Sequence, residues 1–348
     1  MARRYFQMGA ETARVRRRVC AIAYATAGAL AIGSGAAHAW NDTAHLAITM
    51  RAYDALPNDV RARLVAIVRQ HPRFAADFAA TRPHSLDGAA EADLDRWYFA
   101  YASVWPDRAR EFANVADPAQ RAALVARYDR PRWHFVNLPV FLADRDRNCV
   151  DETAAAGRES IADLDVVRAL EHLVGLWRTP QTTAADRAIA LAWIAHLVED
   201  EHQPLHAATL YAQGLFPHGD RGGNAIELSD GTTLHRLWDE SLGTRHQLGD
   251  LARIEARLPR VDGAAGAIDF AAWARESRAV ADRDVYTDAL RHALADATAR
   301  ARAGRVVVSL DAGYRAAMRA VALRQASLAA TRLAAVLAML DGAVRDGS

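Results

Sequence analysis

His196-Leu-Val-Glu-Asp-Glu-His-Gln-Pro-Leu-His206 closes a long apolar stretch that begins near Thr183. Residues four apart share one face of a helix, so His196 and Asp200 can grip a single metal ion from the end of a helix expected over residues 183–199. Pro204 cannot continue that helix, which lets His206 turn away from His196 toward a second ion. His202 follows His196 by six residues, about 240° round a helix, so it points elsewhere and suits a hydrogen bond behind the ligands.

Outward from this stretch, apolar residues recur at three- and four-residue spacing, and alternating β-branched runs are nearly absent. Helices are expected over residues 42–56, 58–69, 89–102, 106–112, 118–128, 161–178, 183–199, 232–242, 271–286, 290–303 and 310–340. Thr179-Pro180 and Gly243 act as helix stops. Residues 211–231 carry five glycines and Pro217 and read as a loop, with a short hairpin around 224–228. No internal repeat or Pro/Ser-rich linker divides the chain. The fold class is all-α, a single mostly helical domain over residues 40–348.

Composition narrows the chemistry. The chain has 348 residues, 51% hydrophobic and 24% charged, as an ordinary globular protein does. All 43 basic side chains are arginine, which excludes a Schiff-base lysine and a phosphate-loop lysine. A net charge of +1 gives no basic glove for nucleic acid.

The first 39 residues read as a leader. Six arginines precede an apolar run over residues 19–32, and Ala37-His38-Ala39 forms a small-x-small cleavage signature. This predicts a secretory signal cut after Ala39 and a secreted or periplasmic protein that starts at Trp40. The run is too short to span a bilayer, and no membrane anchor is expected in the remainder. Six of the 43 arginines and one of the 42 acids leave with the leader, so residues 40–348 carry a net charge of about −4. Cys20 leaves as well, and Cys149 alone cannot form an intrachain disulfide.

The remaining histidines divide into two sets. Trp40-x4-His45, Trp133-His134-Phe135, the 196–206 stretch and His235-x3-Asp239 are patterned, and Trp105-Pro106-Asp107 adds a carboxylate. An isolated His-x3-Asp pair is more often a surface pair than a metal site, but two such pairs here reinforce one another. Imidazole and carboxylate donors without thiolate suit zinc in an open site. His71, His84, His172, His218, His246 and His292 lack a patterned partner and read as ordinary. Trp105, Trp133, Trp193 and Trp238 read as core packing.

Taken in order along the chain, Trp40, His45, Trp105-Pro106-Asp107, His134-Phe135, the 196–206 stretch, Gly222-Gly223-Asn224 and Leu234-His235-x2-Trp238-Asp239 resemble the trinuclear-zinc, single-strand-specific nucleases of fungi and plants. These share a superfamily with the bacterial zinc-dependent phospholipases C. The resemblance implies three zinc ions. One is held by Asp107, His134, His196 and Asp200, and a second by the α-amine and carbonyl of Trp40, by His45 and by the other oxygen of Asp200. The third is held by His206, His235 and Asp239.

It further implies that Asp200 bridges the first two ions and is catalytic with them, and that Arg110 helps neutralise the phosphate. Phe135 would stack a base, with Asn137 and the Gly222-Gly223-Asn224 loop beside it. Stacking needs an unpaired base, which is the physical origin of single-strand preference. The implied substrates are single-stranded DNA or RNA, cut to 5′-phosphate products, and 3′-nucleotides; the implied enzyme is a monomer. Asn137 stands where fungal and plant members tend to carry Asp, and an amide both donates and accepts, so base preference does not carry over. A phospholipase C is the competing reading, but those enzymes usually place Glu at the position of Asp239 and lack a clear Gly-Gly-Asn loop. A non-catalytic zinc-binding protein would need neither an open coordination position nor Arg110.

Overall fold

The computed structural model describes residues 40–149, 160–261, 266–300 and 306–346. The expected leader, the end of the helix expected over 290–303 and the side chain of Cys149 lie outside the described residues. In chain order the helices are α1 (Asp42–Asp54), α2 (Asn58–Val68), α3 (Glu91–Arg110), α4 (Pro118–Tyr128), α5 (Val166–Arg178), α6 (Ala184–Asp200), α7 (Leu234–Asp239), α8 (Leu248–Arg257), α9 (Phe270–Val280), α10 (Asp288–Arg300) and α11 (Ala312–Asp346). Short strands β1 (Leu138–Phe141), β2 (Ala208–Tyr211), β3 (Ile226–Leu228) and β4 (Val306–Val308) complete the set. The class is all-α, as expected.

The helix starts follow local chemistry. Asn41, Asp117, Asp165 and Thr183 each accept a backbone N–H of the first turn of the following helix. Such a cap contributes about 1 kcal/mol. Every residue of α6 from Ala190 to Asp200 is buried, so this helix is apolar on all sides and central rather than amphipathic. It packs against α2, α3, α5 and α11, while α1 lies on α3, α8 and α11. The C-terminal turn of α6 therefore ends inside the protein, where His196, Glu199 and Asp200 must find partners other than water.

Several expectations are corrected. The helices expected over 89–102 and 106–112 are one, with Pro106 inside α3. Packing of a segment buried from Trp97 to Asp107 outweighs the roughly 3 kcal/mol that an interior proline costs. Helix α8 was not expected, although Leu248, Leu251 and Ile254 face the core at helical spacing. The 161–178 segment breaks into a 3-10 turn, Ile161–Asp163, and then α5, because Asp165 caps a new start. Helix α9 passes into a π turn over Ala281–Val285. The loop over 211–231 holds no hairpin at 224–228. There β3 pairs in parallel with β4, Ile226 opposite Val306, and the antiparallel pairing among the described residues is confined to the isolated bridges Ala212–Phe216 and Glu227–Thr233.

The other parallel pair positions the site. β1 runs beside β2 with Leu138 opposite Ala208. Just before the pair, the Val136 N–H donates to the His206 carbonyl at 2.8 Å, which lays residue 134 alongside residue 206. Behind it, Leu205, Leu210, Ile226, Leu234, Trp238 and Tyr286 pack in a second core that supports α7. Within α11, Ala312–Ala343 is long and apolar enough by composition to cross a bilayer, and 56% of its most apolar window is buried inside the fold. It serves the core beside α1, α2, α5 and α6.

Candidate metal centre

Four separate parts of the chain converge on the end of α6. α1 supplies His45 from its first turn, α3 supplies Asp107 from its last, α6 supplies His196 and Asp200, and the segment before β1 supplies His134. All five side chains are buried. His196 Nε2 and His134 Nδ1 lie 2.8 Å apart, and each faces Asp200 Oδ2, at 3.0 and 3.1 Å. Donors held 2.0–2.2 Å from one ion sit roughly 3–3.5 Å from each other, so this triangle is close to the size of a metal's ligand shell. Asp107 Oδ1 stands 3.8 Å from His134 Nδ1 and 4.0 Å from His196 Nε2. The second oxygen of Asp200, Oδ1, faces His45 Nε2 at 3.6 Å. His45 Nε2, Asp107 Oδ1 and Asp200 Oδ1 are buried and make no hydrogen bond among the described residues.

A second group lies beyond Pro204. The helix stops at Asp200, a 3-10 turn follows over Pro204–His206, and His206 joins His235 and Asp239 of α7 with donor atoms within 4.8 Å of one another. The two imidazoles stack at 5.0 Å, and His235 Nε2 lies 3.4 Å from Asp239 Oδ2. The structure thus brings together all eight side chains expected as ligands. Trp40 is buried beside them, its indole N–H donating to the Glu199 carbonyl at 3.0 Å and the next N–H, of Asn41, to the Asp239 carbonyl at 3.4 Å.

Partners behind these side chains set which ring nitrogen carries the proton. His196 Nδ1–H donates to the Ser103 carbonyl, His206 Nδ1–H to the His134 carbonyl and His235 Nδ1–H to the Gly222 carbonyl, each at 2.7 Å. Nε2 is then the basic nitrogen in each. His45 Nδ1–H donates to Glu199, which also accepts from the Thr49 hydroxyl. Gln203 donates to Asp239 Oδ1 at 2.7 Å. Glu199 and Gln203 were not singled out in the sequence, yet for Glu199 a signal was present: an ionisable residue in a helix apolar on every side has no route to solvent.

Burial drives the electrostatics. It pushes Asp200 up to about 7 against the pull of His196, and Asp239 well above the carboxylate range despite the Gln203 hydrogen bond. It pushes His45 and His134 well below the histidine range, with His196 adding to the effect. Burial also depresses His196, but Asp200 and Asp107 outweigh it and raise the imidazole. Asp200 and Asp239, which resist ionising, beside His45 and His134, which resist protonation, suit a dication, whose charge favours the ionised carboxylates.

The remaining expected residues surround this cluster. Arg110 shares a face of α3 with Asp107, its Nη1 3.6 Å from Asp107 Oδ1. Phe135 is half-buried with the Arg132 guanidinium 5.3 Å from its ring centre, and Asn137 is exposed. Gly222 and Gly223 are buried with φ of +60° and +82°, and a Cβ on Gly222 would meet the Leu205 carbonyl at 2.5 Å. Asn224 is half-buried, its amide donating to the Arg221 carbonyl at 3.0 Å. An open cleft lined by Asn41, Asp42, Thr43, Glu240, Thr244 and His246 reaches Asp107, so His246 sits on its rim.

His202 stands apart. It donates to the Val198 carbonyl at 2.7 Å and accepts from Arg332 at 2.9 Å, so it ties the end of α6 to α11 instead of supporting a ligand. His71 is a core histidine, packed 4.3 Å from Trp105. Trp133 and Trp193 are core residues as expected, and Trp193 also lies edge-on to His134 at 5.3 Å.

Glu199→Gln tests the support of His45. Losing the carboxylate that holds the imidazole should weaken metal binding roughly 10–100-fold, measured by chelator competition. Unchanged affinity would show that His45 is oriented by packing alone.

The S1/P1 Nuclease family model matches residues 40–340. Endonuclease 2 of Arabidopsis thaliana is 26% identical over 166 residues, which cover 45% of this chain and 46% of that protein. The match thus spans about half the length of that relative.

Proposed function

Because the chain belongs to the S1/P1 nuclease family, we propose that it is a zinc-dependent endonuclease, secreted or periplasmic, that hydrolyses single-stranded DNA and RNA to 5′-phosphate products and removes phosphate from 3′-nucleotides. The observation that carries this reading is the position of Asp200, one oxygen facing His134 and His196 and the other facing His45. A carboxylate so placed can join two ions. The N/O-only donor set favours zinc.

In this reading Asp107, His134, His196 and Asp200 hold one ion, and the Trp40 terminus, His45 and Asp200 a second. His206, His235 and Asp239 hold a third. Bound divalent ions supply a deprotonated water at neutral pH and charge stabilisation at phosphorus. The protein's own residues do the rest. His45, His196, His206 and His235, fixed through Nδ1, leave Nε2 to the cluster, His134 turns Nδ1 to it, and Arg110 adds positive charge beside Asp107 for a phosphate oxygen. Local cations matter because residues 40–348 carry a net charge of about −4, which gives little long-range attraction for a polyanion.

Phe135, beside His134, offers a ring for an unpaired base. Phe135→Ala should weaken binding of single-stranded substrates by about 1–3 kcal/mol while leaving metal content intact. Cleavage unchanged in that variant would move the base site elsewhere.

The function is tested by assaying the purified protein on single-stranded DNA, RNA, 3′-AMP and phosphatidylcholine, with and without chelator. Chelator-sensitive cleavage of the first three is expected. Turnover of phosphatidylcholine alone would establish a phospholipase instead.

A further inference from the structure

We propose that Asp220, held from the opposite side by Tyr286, is the positioning residue for His235, acting through the carbonyl of Gly222. The proposal rests on reading His206, His235 and Asp239 as a metal site.

Asp220 belongs to no ligand group, yet it is completely buried and each of its oxygens is engaged. Oδ1 accepts from the Leu210 N–H at 2.9 Å and from the Thr209 hydroxyl at 3.1 Å, and Oδ2 accepts from the Tyr286 hydroxyl at 2.7 Å. Its backbone is pinned as well. The Asp220 N–H donates to the Leu210 carbonyl and the Ala225 N–H to the Asp220 carbonyl, both at 2.9 Å. Three elements meet on this one carboxylate: β2, the end of the π turn after α9, and the loop that leads to β3.

Between the pinned ends lie Arg221, Gly222 and Gly223, with φ of +60°, +60° and +82°. Arg221 is the one non-glycine residue with positive φ among the described residues. A left-handed run that includes a side-chain-bearing residue persists only where its surroundings impose it. What the run achieves is local: it turns the Gly222 carbonyl onto His235 Nδ1 at 2.7 Å. That bond keeps the proton on Nδ1 and leaves Nε2 toward Asp239 Oδ2. The Gly222 N–H is tied in turn to the Thr209 hydroxyl at 3.4 Å, the same hydroxyl that donates to Asp220.

The test compares zinc stoichiometry and affinity, by titration against a chromogenic chelator, in the purified protein and in Asp220→Asn, Tyr286→Phe and His235→Ala. Melting curves check that each variant folds. His235→Ala should lose one equivalent. Asp220→Asn should retain every equivalent at saturating zinc but bind one of them about 10–100-fold more weakly, with the others unchanged. Tyr286→Phe, which removes a single donor from a buried ring of the same shape, should shift the same equivalent in the same direction by less. A purely structural role for Asp220 would lower the melting temperature without singling out one equivalent.

The proposal is overturned if His235→Ala loses one equivalent while Tyr286→Phe and a folded Asp220→Asn bind all equivalents with unchanged affinity. If His235→Ala itself loses none, the metal-site reading beneath the proposal is what fails.

Discussion

Replacing Asp200 with Asn should remove at least one metal ion and essentially all phosphodiesterase activity. Asp200 Oδ2 lies about 3 Å from both His134 and His196, and Oδ1 lies 3.6 Å from His45. A neutral amide keeps one acceptor oxygen, but its nitrogen donates and turns hydrogens toward a position where an ion needs a lone pair. Nor can it offset the charge of two dications. If the lost ion is normally held at a thousandfold its Kd, folding stability falls by about 4 kcal/mol, visible as a lower Tm. The α6 helix should survive, because its burial from Ala190 onward depends on apolar neighbours and not on position 200. Elemental analysis showing full metal content, together with near-normal turnover, would remove Asp200 from the centre of the site.

The clustered His and Asp side chains were legible because their spacing along a helix is independent of the rest of the fold. His196 with Asp200 and His235 with Asp239 need only a helix turn to face one ion, and Pro204 announces the break that separates the two groups. The helices were legible where capping residues and apolar stripes agree, as at Thr183, whereas the cap at Asp165 was passed over. Pro106 misled because a local rule was overruled by burial on both sides of it. β1 and β2 escaped notice because β1 is four residues including a proline, and its register with β2 is set by partners 70 residues away.

The supporting residues were harder to read for the same reason. Glu199, Gln203 and Asp220 carry no motif of their own. Their contacts are made across the fold: Glu199 to His45 and Thr49, Gln203 to Asp239, and Asp220 to Thr209, Leu210 and Tyr286. Their common mark is a polar side chain at a position the fold buries completely. A sequence shows that mark only once the helix or strand around it is known to be buried on every side.

The N-terminus carries the other large effect. A form that begins at Trp40 should be active, whereas the full 348-residue chain, or a form with one residue added before Trp40, should bind fewer zinc ions and be largely inactive. An α-amine ligates only when it is unprotonated and unacylated, and any preceding residue converts it into an amide nitrogen, a far poorer ligand. The surroundings favour this role over a purely packing one. The Trp40 indole is completely buried and bonded to the Glu199 carbonyl, and the Asn41 N–H bonds to the Asp239 carbonyl, so residues 40–41 are anchored between α6 and α7. The Asn41 side chain, capping α1 and donating to the Gly243 carbonyl at 2.7 Å, fixes the chain direction at this point. If Trp40 were only a packed aromatic, one added residue at the mouth of the site would leave the indole in place and change little. Zinc stoichiometry and nuclease rates of the two forms decide between these outcomes. Equal values would refute the terminal ligand and reduce the assignment to two zinc sites built from side chains alone.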